Sequence, residues 1–421
     1  MISGESYAVM AFDKFPDHRF LVQAVGMEPW GYSEMMVVNP TSGEMLASRV
    51  TGCSGDPENY TQFTHEARVR PNQGDVLTVE EFVTKVSNIA AADGAEKVEI
   101  EGLGSVEYVF DDVISAWKPD VTDDNTAAND DGAQGELTVM YRMLHYFDPV
   151  SNDVDAVNSY TLTKAMCGTE DGDISVLDWS HVSAISFAEE EGFYLISMRN
   201  IDTVAAIDAT TGDLKWALSS HSAVSDDFSW DSEDDKFYNV HSAYIVEQTD
   251  YEDDAGTANV DGKLRLLLFD GGNNRPGCHL NYTGCFSRAI EYTLDTDAGT
   301  VETTWQFAYP YGSSAGQRAE RQSDTFVEDG GSVVLFANDA NDEKLYYAGF
   351  TSTAKAGWGA HAFIFIVDGH GSVHTEISVR QHYWNAVAAG LYRTLPSKSL
   401  TGEGEDFPFT TSHPSSLPDA Q

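Results

Sequence analysis

An internal repeat constrains this chain more than any other feature of its sequence. Similar segments begin at four places, near Thr64, Ser180, Val240 and Gln322. Each has a small polar or histidine-containing start, an apolar alternation, an acidic turn with glycine, and then a strongly apolar strand. One such unit makes about four strands, which is too few to bury its own faces. The copies must therefore stack around a common axis.

Strand signals also dominate the rest of the sequence. Helical periodicity is scarce, and short stretches rich in Val, Ile, Phe and Tyr are separated by Gly, Asp, Asn and Ser. Hairpins with an acidic, glycine-containing turn are predicted at 208–213, 295–300 and 368–372. Trp216 and Trp305 close the second strand of two of these units.

The repeat and the chain length together predict an all-β fold, a six-bladed β-propeller of four-stranded antiparallel blades. We expect one propeller domain over residues 1–400, with 1–60 supplying closing strands or a small β extension. The Pro- and Ser-rich residues 401–421 are expected to form a tail. A double β-sandwich is the alternative architecture, but it would not explain the recurring start of each unit.

The charge balance excludes one class of partner. The chain has 24 Lys and Arg against 68 Asp and Glu, a formal net charge of −44. Such a field repels nucleic acid and anionic membrane surfaces, and it favours cationic partners. No apolar run reaches the length of a membrane span. The acidity is typical of a protein adapted to saline or extracellular surroundings.

Cysteines and glycosylation sequons favour an extracellular location. Cys278 and Cys285 close a short loop that suits a local disulfide, and Asn59 and Asn281 each begin an Asn-Tyr-Thr sequon. Two further cysteines lie far apart in the sequence, and whether they pair is open. Oxidising compartments are where disulfides persist, so we expect a secreted or cell-surface glycoprotein. Protein or glycan partners fit such a setting.

Two acidic segments interrupt the repeat, at 121–136 and 248–262. Both are rich in Asp, Asn and Gly and are interpreted as surface loops. Neither has the ligand spacing of an EF-hand loop. Structural Ca²⁺ in these loops is kept as an option, and no other cofactor is expected.

Three of the 12 histidines, His65, His181 and His241, fall near the starts of three repeats. The innermost strand of each propeller blade lines the central channel, so we expect the three histidines at one phase of the repeat to face one another there. Imidazoles in such a channel can transfer protons, act as nucleophiles or bind a metal. The alternative is that each repeated histidine only bonds to a neighbouring blade.

Arg199 ends the strand that follows His181 and pairs with it across a hairpin. A guanidinium binds tetrahedral oxyanions such as sulfate or phosphate through paired, charge-assisted hydrogen bonds. Its presence beside imidazoles on so acidic a chain favours an anionic substrate group. A salt bridge to one of the many acids is the alternative. A neighbouring Arg opposes a dication, and no carboxylate spacing for a metal site is readable, so a metal on the three histidines is kept only as a minor alternative.

The string DWSHVSAISFAEEEGFYLISMRNIDTVAAIDATTGDLKW resembles the signature of the arylsulfotransferase family, H-x-N-S-I, S-x-R and I-D-x-x-T-G-x-x-x-W in order. The later VHSAYIVE, LLLFDGG and SRAIEYTLD resemble a second block of that family. The resemblance implies a six-bladed propeller that moves a sulfuryl group between phenols without a nucleotide sulfate donor such as PAPS.

The resemblance also implies roles for particular residues. His241 falls where the family has the histidine that is transiently sulfated, and His181 and Arg199 fall where the sulfuryl oxygens bind. His65 falls at a further channel histidine. The family's Asn after the middle histidine is Ser183 here, and its Gln before the nucleophile is Val240.

Three functions stay open on the sequence alone. The first is an aryl-sulfate sulfotransferase acting on a phenolic sulfate donor and a phenol acceptor. The second is a non-catalytic extracellular propeller that serves as a binding or assembly module, since fold does not determine function. The third is a metal-dependent hydrolase that uses the three histidines.

Overall fold

The computed structural model describes eighteen stretches of the chain: residues 7–26, 33–52, 60–70, 73–89, 98–100, 104–121, 135–147, 149, 159–162, 174–221, 224, 227–246, 263–272, 275, 286–308, 331–338, 344–352 and 361–380. Almost all of the regular structure in these stretches is β-strand, as the sequence predicts. The described helices are three single 3₁₀ turns, Val86–Asn88, Met143–His145 and Glu233–Asp235. None of the described helices is long and apolar enough to cross a membrane.

The described strands form five blades, which follow one another along the chain, and one separate two-stranded sheet. Blade 1 contains β1 (Tyr7–Lys14), β2 (Phe20–Gly26), β3 (Ser33–Val38) and β4 (Met45–Thr51). Blade 2 begins with β5 (Thr61–Arg70) and β6 (Asp75–Lys85). A separate ribbon follows, β7 (Val98–Ile100) and β8 (Gly104–Val106). Blade 2 then continues with β9 (Tyr108–Pro119), β10 (Gly135–Arg142), β11 (Ser159–Leu162) and β12 (Ile174–Leu177).

The remaining three blades occupy the second half of the chain. Blade 3 contains β13 (Val182–Ala188), β14 (Phe193–Met198), β15 (Thr203–Asp208) and β16 (Leu214–Ser219). Blade 4 contains β17 (Ser229–Trp230), β18 (Val240–Ile245), β19 (Lys263–Asp270), β20 (Arg288–Asp295) and β21 (Thr300–Ala308). Blade 5 contains β22 (Gly331–Asn338), β23 (Lys344–Ser352), β24 (His361–Asp368) and β25 (Val373–Arg380).

The first long strand of each blade lies innermost. Successive inner strands contact one another in the order β1, β5, β13, β18 and β22. In blades 1, 3 and 5 the other strands follow outward in sequence order, each antiparallel to the last. Blade 4 adds β17 as a parallel outer strand on β21. This radial arrangement of twisted sheets is a β-propeller.

Each junction between consecutive blades holds its own apolar core. Buried aliphatic and aromatic side chains fill the space between blades 1 and 2, 2 and 3, 3 and 4, and 4 and 5. Ile114 and Ile185 belong to the core of the second of these junctions, and Leu195 and Leu266 to the core of the third. Strands such as β14, in which every residue is buried, explain the continuous apolar runs in the sequence.

The predicted number of blades is wrong for the described residues, which form five blades instead of six. The prediction divided the chain into equal units of four strands. Blade 2 departs from that unit because it extends from Thr61 to Leu177 and carries six strands, with β12 parallel to β9. A blade that takes up this much sequence leaves fewer residues for the others. Blade 4 departs as well, with five strands.

All three predicted hairpins are confirmed, because β15–β16, β20–β21 and β24–β25 are antiparallel pairs joined at those turns. In the first of them the Asp208 carboxylate accepts hydrogen bonds from the backbone N–H groups of Thr210 and Thr211, both at 2.9 Å. Gly212 closes the turn at φ +76°, a left-handed conformation that favours glycine.

Candidate functional site

The loops at one end of blades 3 and 4 bring three of the predicted site residues into one region. His181 immediately precedes β13, Arg199 immediately follows β14, and His241 is the second residue of β18. All three side chains are buried. The backbone N–H of Arg199 donates to the carbonyl of His181 at 3.0 Å, so these two residues are direct neighbours across the end of a hairpin.

The same backbone pattern recurs in blade 4 and shows which positions are equivalent. There the backbone N–H of Gly271 donates to the carbonyl of Asn239 at 3.2 Å. Asn239 therefore occupies in blade 4 the position that His181 occupies in blade 3. Their backbones agree, because both are left-handed, with φ of +47° for His181 and +52° for Asn239.

This equivalence corrects the expectation that the three histidines share one phase of the repeat. His241 lies two residues after Asn239, so its counterpart in blade 3 is Ser183 and not His181. His65 lies on β5, at a register shift between Phe63 and Ala67. The side chain of His65 is outside the part of the chain that the structure describes.

Backbone strain is concentrated around these residues. Ser242 and Asp202 also adopt left-handed backbones, with φ of +52° and +44°. Non-glycine residues in this region of φ/ψ space are uncommon, and they cluster where the surrounding structure holds them for a functional geometry. Asp202 is fixed by its contact with blade 4, where its carboxylate accepts the backbone N–H of Asn239 at 2.5 Å.

His181 is held by a buried carboxylate. Its Nδ1 lies 2.5 Å from Oδ2 of Asp178, and the Asp178 carbonyl accepts a hydrogen bond from the side-chain amide of Asn200 at 2.6 Å. With Nδ1 engaged by Asp178, the chemistry left to the ring is that of Nε2. Asp178 is not among the residues predicted from the sequence, although it lies in the DWSH string, three residues before His181.

A second carboxylate fixes the turn from blade 2. Asp112, on β9, accepts the hydroxyl of Ser180 and the backbone N–H of Val182, the latter at 3.0 Å. The position of His181 is therefore set from both sides, because its two chain neighbours are bonded to Asp112. The indole of Trp179 adds a further bond, to the carbonyl of Phe110 at 2.6 Å.

Three buried acids near His181, namely Glu81, Asp112 and Asp178, have raised pKa values. Burial, together with the charges of Asp178 and Asp112, raises the pKa of Glu81 well above its ordinary value. Burial and the charge of Asp178 likewise raise the pKa of Asp112. Burial raises the pKa of Asp178 although Arg199 and Asn200 act to lower it. The sequence did contain a signal for this cluster, because the acid pairs in TVEEFV and FDDVIS interrupt otherwise apolar strands.

One oxygen or nitrogen atom from each of Glu81, Asp178 and His181 lies within 4.8 Å of the others. Carboxylate and imidazole atoms at this separation are able to share a metal ion. The three-histidine metal set weighed in the sequence analysis differs from this one, and the structure describes no side chain for His65.

Ser183 joins blade 3 to blade 4. Its hydroxyl is 2.8 Å from the carbonyl of Val240 and 3.3 Å from that of Ser197. Val240 directly precedes His241, so this bond acts on the backbone that carries the histidine. The short hydroxyl thus makes an inter-blade contact at the position where the family signature has Asn.

Several predicted features lie outside the described residues. They are Cys278 and Cys285, the sequons at Asn59 and Asn281, the segment 248–262, most of the segment 121–136, and the tail 401–421. The predicted disulfide, glycosylation sites and Ca²⁺-binding loops therefore stay predictions.

Comparisons with known proteins agree with the fold and the signature. The family model described as "Arylsulfotransferase (ASST)" matches residues 120–393, well over half of the chain and a span that includes His181, Arg199 and His241. No curated protein matches the chain.

Solved structures give only distant similarity. A putative 6-phosphogluconolactonase from Bacteroides fragilis is 11% identical with a TM-score of 0.35, over 86% of this chain and 67% of that one. A hypothetical selenium-binding protein from Sulfolobus tokodaii is 8% identical with a TM-score of 0.34, over 70% and 56%. A periplasmic gluconolactonase from Pseudomonas aeruginosa is 10% identical with a TM-score of 0.36, over 90% and 85%. These values are too low to carry an inference about this chain.

The fold is a β-propeller, and buried histidine and arginine side chains lie at one end of two of its neighbouring blades. The family match is specific where the structural similarities are not. The chain belongs to the arylsulfotransferase family.

Proposed function

We propose that this protein is a PAPS-independent aryl-sulfate sulfotransferase that moves a sulfuryl group from a phenolic sulfate to a phenol through a sulfohistidine at His241. The observation that carries the proposal is that His181, Arg199 and His241, all buried, lie at one end of two neighbouring blades within the family match. A phenolic sulfate is anionic, and Arg199 is a cation suited to its tetrahedral oxygens.

In the first half-reaction a ring nitrogen of His241 attacks the sulfur of the donor. The bond from sulfur to the phenolic oxygen breaks, and the phenolate leaves with the electron pair and takes a proton from a general acid. Arg199 and the Nε2–H group of His181 stabilise the charge on the sulfuryl oxygens as hydrogen-bond donors, an electrostatic role that needs groups held in place beforehand. Asp178 holds His181 in this way through Nδ1.

In the second half-reaction a phenol attacks the same sulfur and the bond to His241 breaks. The acceptor loses its proton as it attacks, so a base is needed at this stage. His65 belongs to the inner strand of blade 2, which packs against the inner strand of blade 3. We assign it the assisting role that the family resemblance implies. An extracellular location for this reaction is also part of the proposal.

The test uses 4-nitrophenyl sulfate as donor and a phenol as acceptor. We expect acceptor-dependent release of nitrophenolate, and an increase of one SO₃ in the intact mass after mixing with donor alone. His241→Asn should lose at least about 10⁴-fold in rate, the scale seen when a nucleophile is removed, and should show no mass increase.

The matched control is His374→Asn, which changes a half-exposed histidine on β25 of blade 5. Its rate and its mass increase should equal those of the unmodified protein. A His241→Asn protein that still transfers at the full rate would refute the sulfohistidine. A folded protein that releases no nitrophenolate at any pH or salt concentration would favour the non-catalytic binding module.

A further inference from the structure

Three carboxylates from three different segments converge below His181. Glu81 lies on β6, Asp112 on β9 and Asp178 on the turn before β13, and their exposed fractions are 6%, 0% and 2%. The charge of Asp178 acts on both Glu81 and Asp112, and the charge of Asp112 acts on Glu81. Burying an ionised carboxylate is costly unless it is paired, so three together need compensation.

The described residues do not supply full compensation through hydrogen bonds. Oδ1 of Asp112 and Oδ1 of Asp178 are both buried without a hydrogen-bond partner. The carboxylate of Glu81 is aimed at the same cluster, because one of its oxygens lies within 4.8 Å of donor atoms of Asp178 and His181. Buried carboxylate oxygens without a hydrogen-bond partner are normally satisfied by a bound ion, a water molecule or a proton.

A dication can balance the charge of this cluster while His181 is neutral. Two described groups near Asp178 can carry positive charge, namely Arg199, whose charge acts on Asp178, and His181, whose Nδ1 lies 2.5 Å from Oδ2 of Asp178. When ionised, the three acids carry three negative charges, and Arg199 neutralises one of them. A divalent cation neutralises the other two. The acids thus outweigh the opposing charge of Arg199, on which the sequence-based argument against a metal rested.

We propose that Glu81, Asp178 and His181 bind one divalent first-row transition-metal ion, of which Mn²⁺ and Zn²⁺ are the candidates. The donor set combines carboxylate oxygens with one imidazole nitrogen, a mixture suited to these ions. Ligands about 2.0–2.2 Å from one ion lie at most about 4.4 Å apart, so the separations within 4.8 Å need only small side-chain rotations. Nδ1 of His181 and Oδ2 of Asp178, now 2.5 Å apart, have to separate and release the proton between them when the ion binds. Asp112 contributes negative charge from beside the site.

The site goes beyond the proposed sulfotransferase activity, and its occupancy is independent of the sulfated histidine. An ion held by Asp178 and His181 would fix the imidazole from the side that faces blade 2. Binding is measured without any sulfate ester, so either proposal can fail while the other stands.

The test is a titration of chelator-treated protein with MnCl₂, followed by electron paramagnetic resonance of free Mn²⁺, and a parallel titration with ZnCl₂ followed by calorimetry. About 1 M NaCl suppresses weak binding to the acidic surface. We expect one tight site per chain and a metal-dependent rise in melting temperature, because an ion that binds only the folded state stabilises it.

Glu81→Gln and Asp178→Asn should each weaken binding at least tenfold, whereas Glu302→Gln, which changes an exposed carboxylate on β21, should bind as the unmodified protein does. Glu81→Gln replaces a buried carboxyl group with an amide of nearly the same shape, so its metal-free form should melt no lower than the unmodified protein. Equal binding by Glu81→Gln and the unmodified chain would overturn the proposal. The proposal would also be overturned if neither ion bound at micromolar concentrations. The acids would then be neutralised by protons instead of a metal ion.

Discussion

The side chain of Ser183 departs from the family signature, yet it makes a definite contact. Its hydroxyl is 2.8 Å from the carbonyl of Val240, the residue before His241. Three positions along the same strand, the hydroxyl of Ser186 makes an equivalent inter-blade bond to the carbonyl of Ala243, also at 2.8 Å. The two serines therefore differ in what they support, since only Ser183 is bonded to the residue next to His241.

We expect Ser183→Ala to lower kcat/KM for 4-nitrophenyl sulfate by about tenfold, because a loss of about 1.4 kcal/mol in positioning His241 corresponds to that factor. Ser186→Ala removes a bond of the same kind and length from the same pair of blades, and it should cost stability without lowering kcat/KM. Steady-state kinetics and melting curves of both variants provide the comparison. Equal loss of kcat/KM in the two variants would show that Ser183 only holds the blades together.

The residues of the site could be predicted from sequence to different degrees. The sequence motifs alone were enough to select His181, Arg199 and His241, because these motifs follow one another in the same order as in the family signature. The acids Glu81 and Asp112 lie on separate strands of blade 2, and only the tertiary pairing of β6 with β9 brings them beneath His181. The two-residue offset between His181 and His241 was also hidden, since it depends on left-handed backbones that spacing does not reveal.

The hairpin between the last two strands is the element that recurs most faithfully. In blade 5 it begins at Asp368, whose carboxylate accepts the backbone N–H groups of His370 and Ser372 at 2.9 and 2.8 Å and contacts the ring of His374 at 3.0 Å. Burial raises the pKa of Asp368, but these hydrogen bonds outweigh it and lower the pKa to about 2. The turn also accepts the indole N–H of Trp305 from blade 4.

A depressed pKa in the folded state stabilises the protein above the pKa of the unfolded chain, and that stability is lost as the pH falls toward the folded value. We therefore expect Asp368→Asn to lower the urea midpoint at pH 7, and the difference from the unmodified protein to shrink between pH 4 and pH 2. Asn39 heads the equivalent turn of blade 1, where it accepts the N–H of Thr41. Asn39→Asp should show the opposite sign at pH 7. A deficit for Asp368→Asn that is the same at every pH would contradict the role of the charge.

At the scale of the whole molecule, the repeat was sufficient to predict the architecture and insufficient to predict its number of blades. Copies of a four-strand unit have to stack around an axis to bury their faces, so the sequence is enough to predict an all-β propeller. Blade 2 adds β10, β11 and β12 to its inner strands. These strands pair with β9 or with each other, and some of the pairs join segments that are far apart in the sequence. Nothing in the local composition distinguishes such an addition from another blade.

The net charge of −44 acts on every substrate that approaches the site. A phenolic sulfate is anionic and is repelled at long range, whereas a neutral phenol is not. Salt shortens the Debye length from about 30 Å at 0.01 M to about 10 Å at 0.1 M, which removes most of this repulsion. We therefore expect the KM of the donor to fall severalfold over this range while the KM of the phenol acceptor stays constant. Circular dichroism at each salt concentration checks that the fold is unchanged, and the acceptor serves as the internal control. A donor KM that rises with salt would mean that local attraction by Arg199 outweighs the field of the whole protein, since added anions would then compete for the guanidinium.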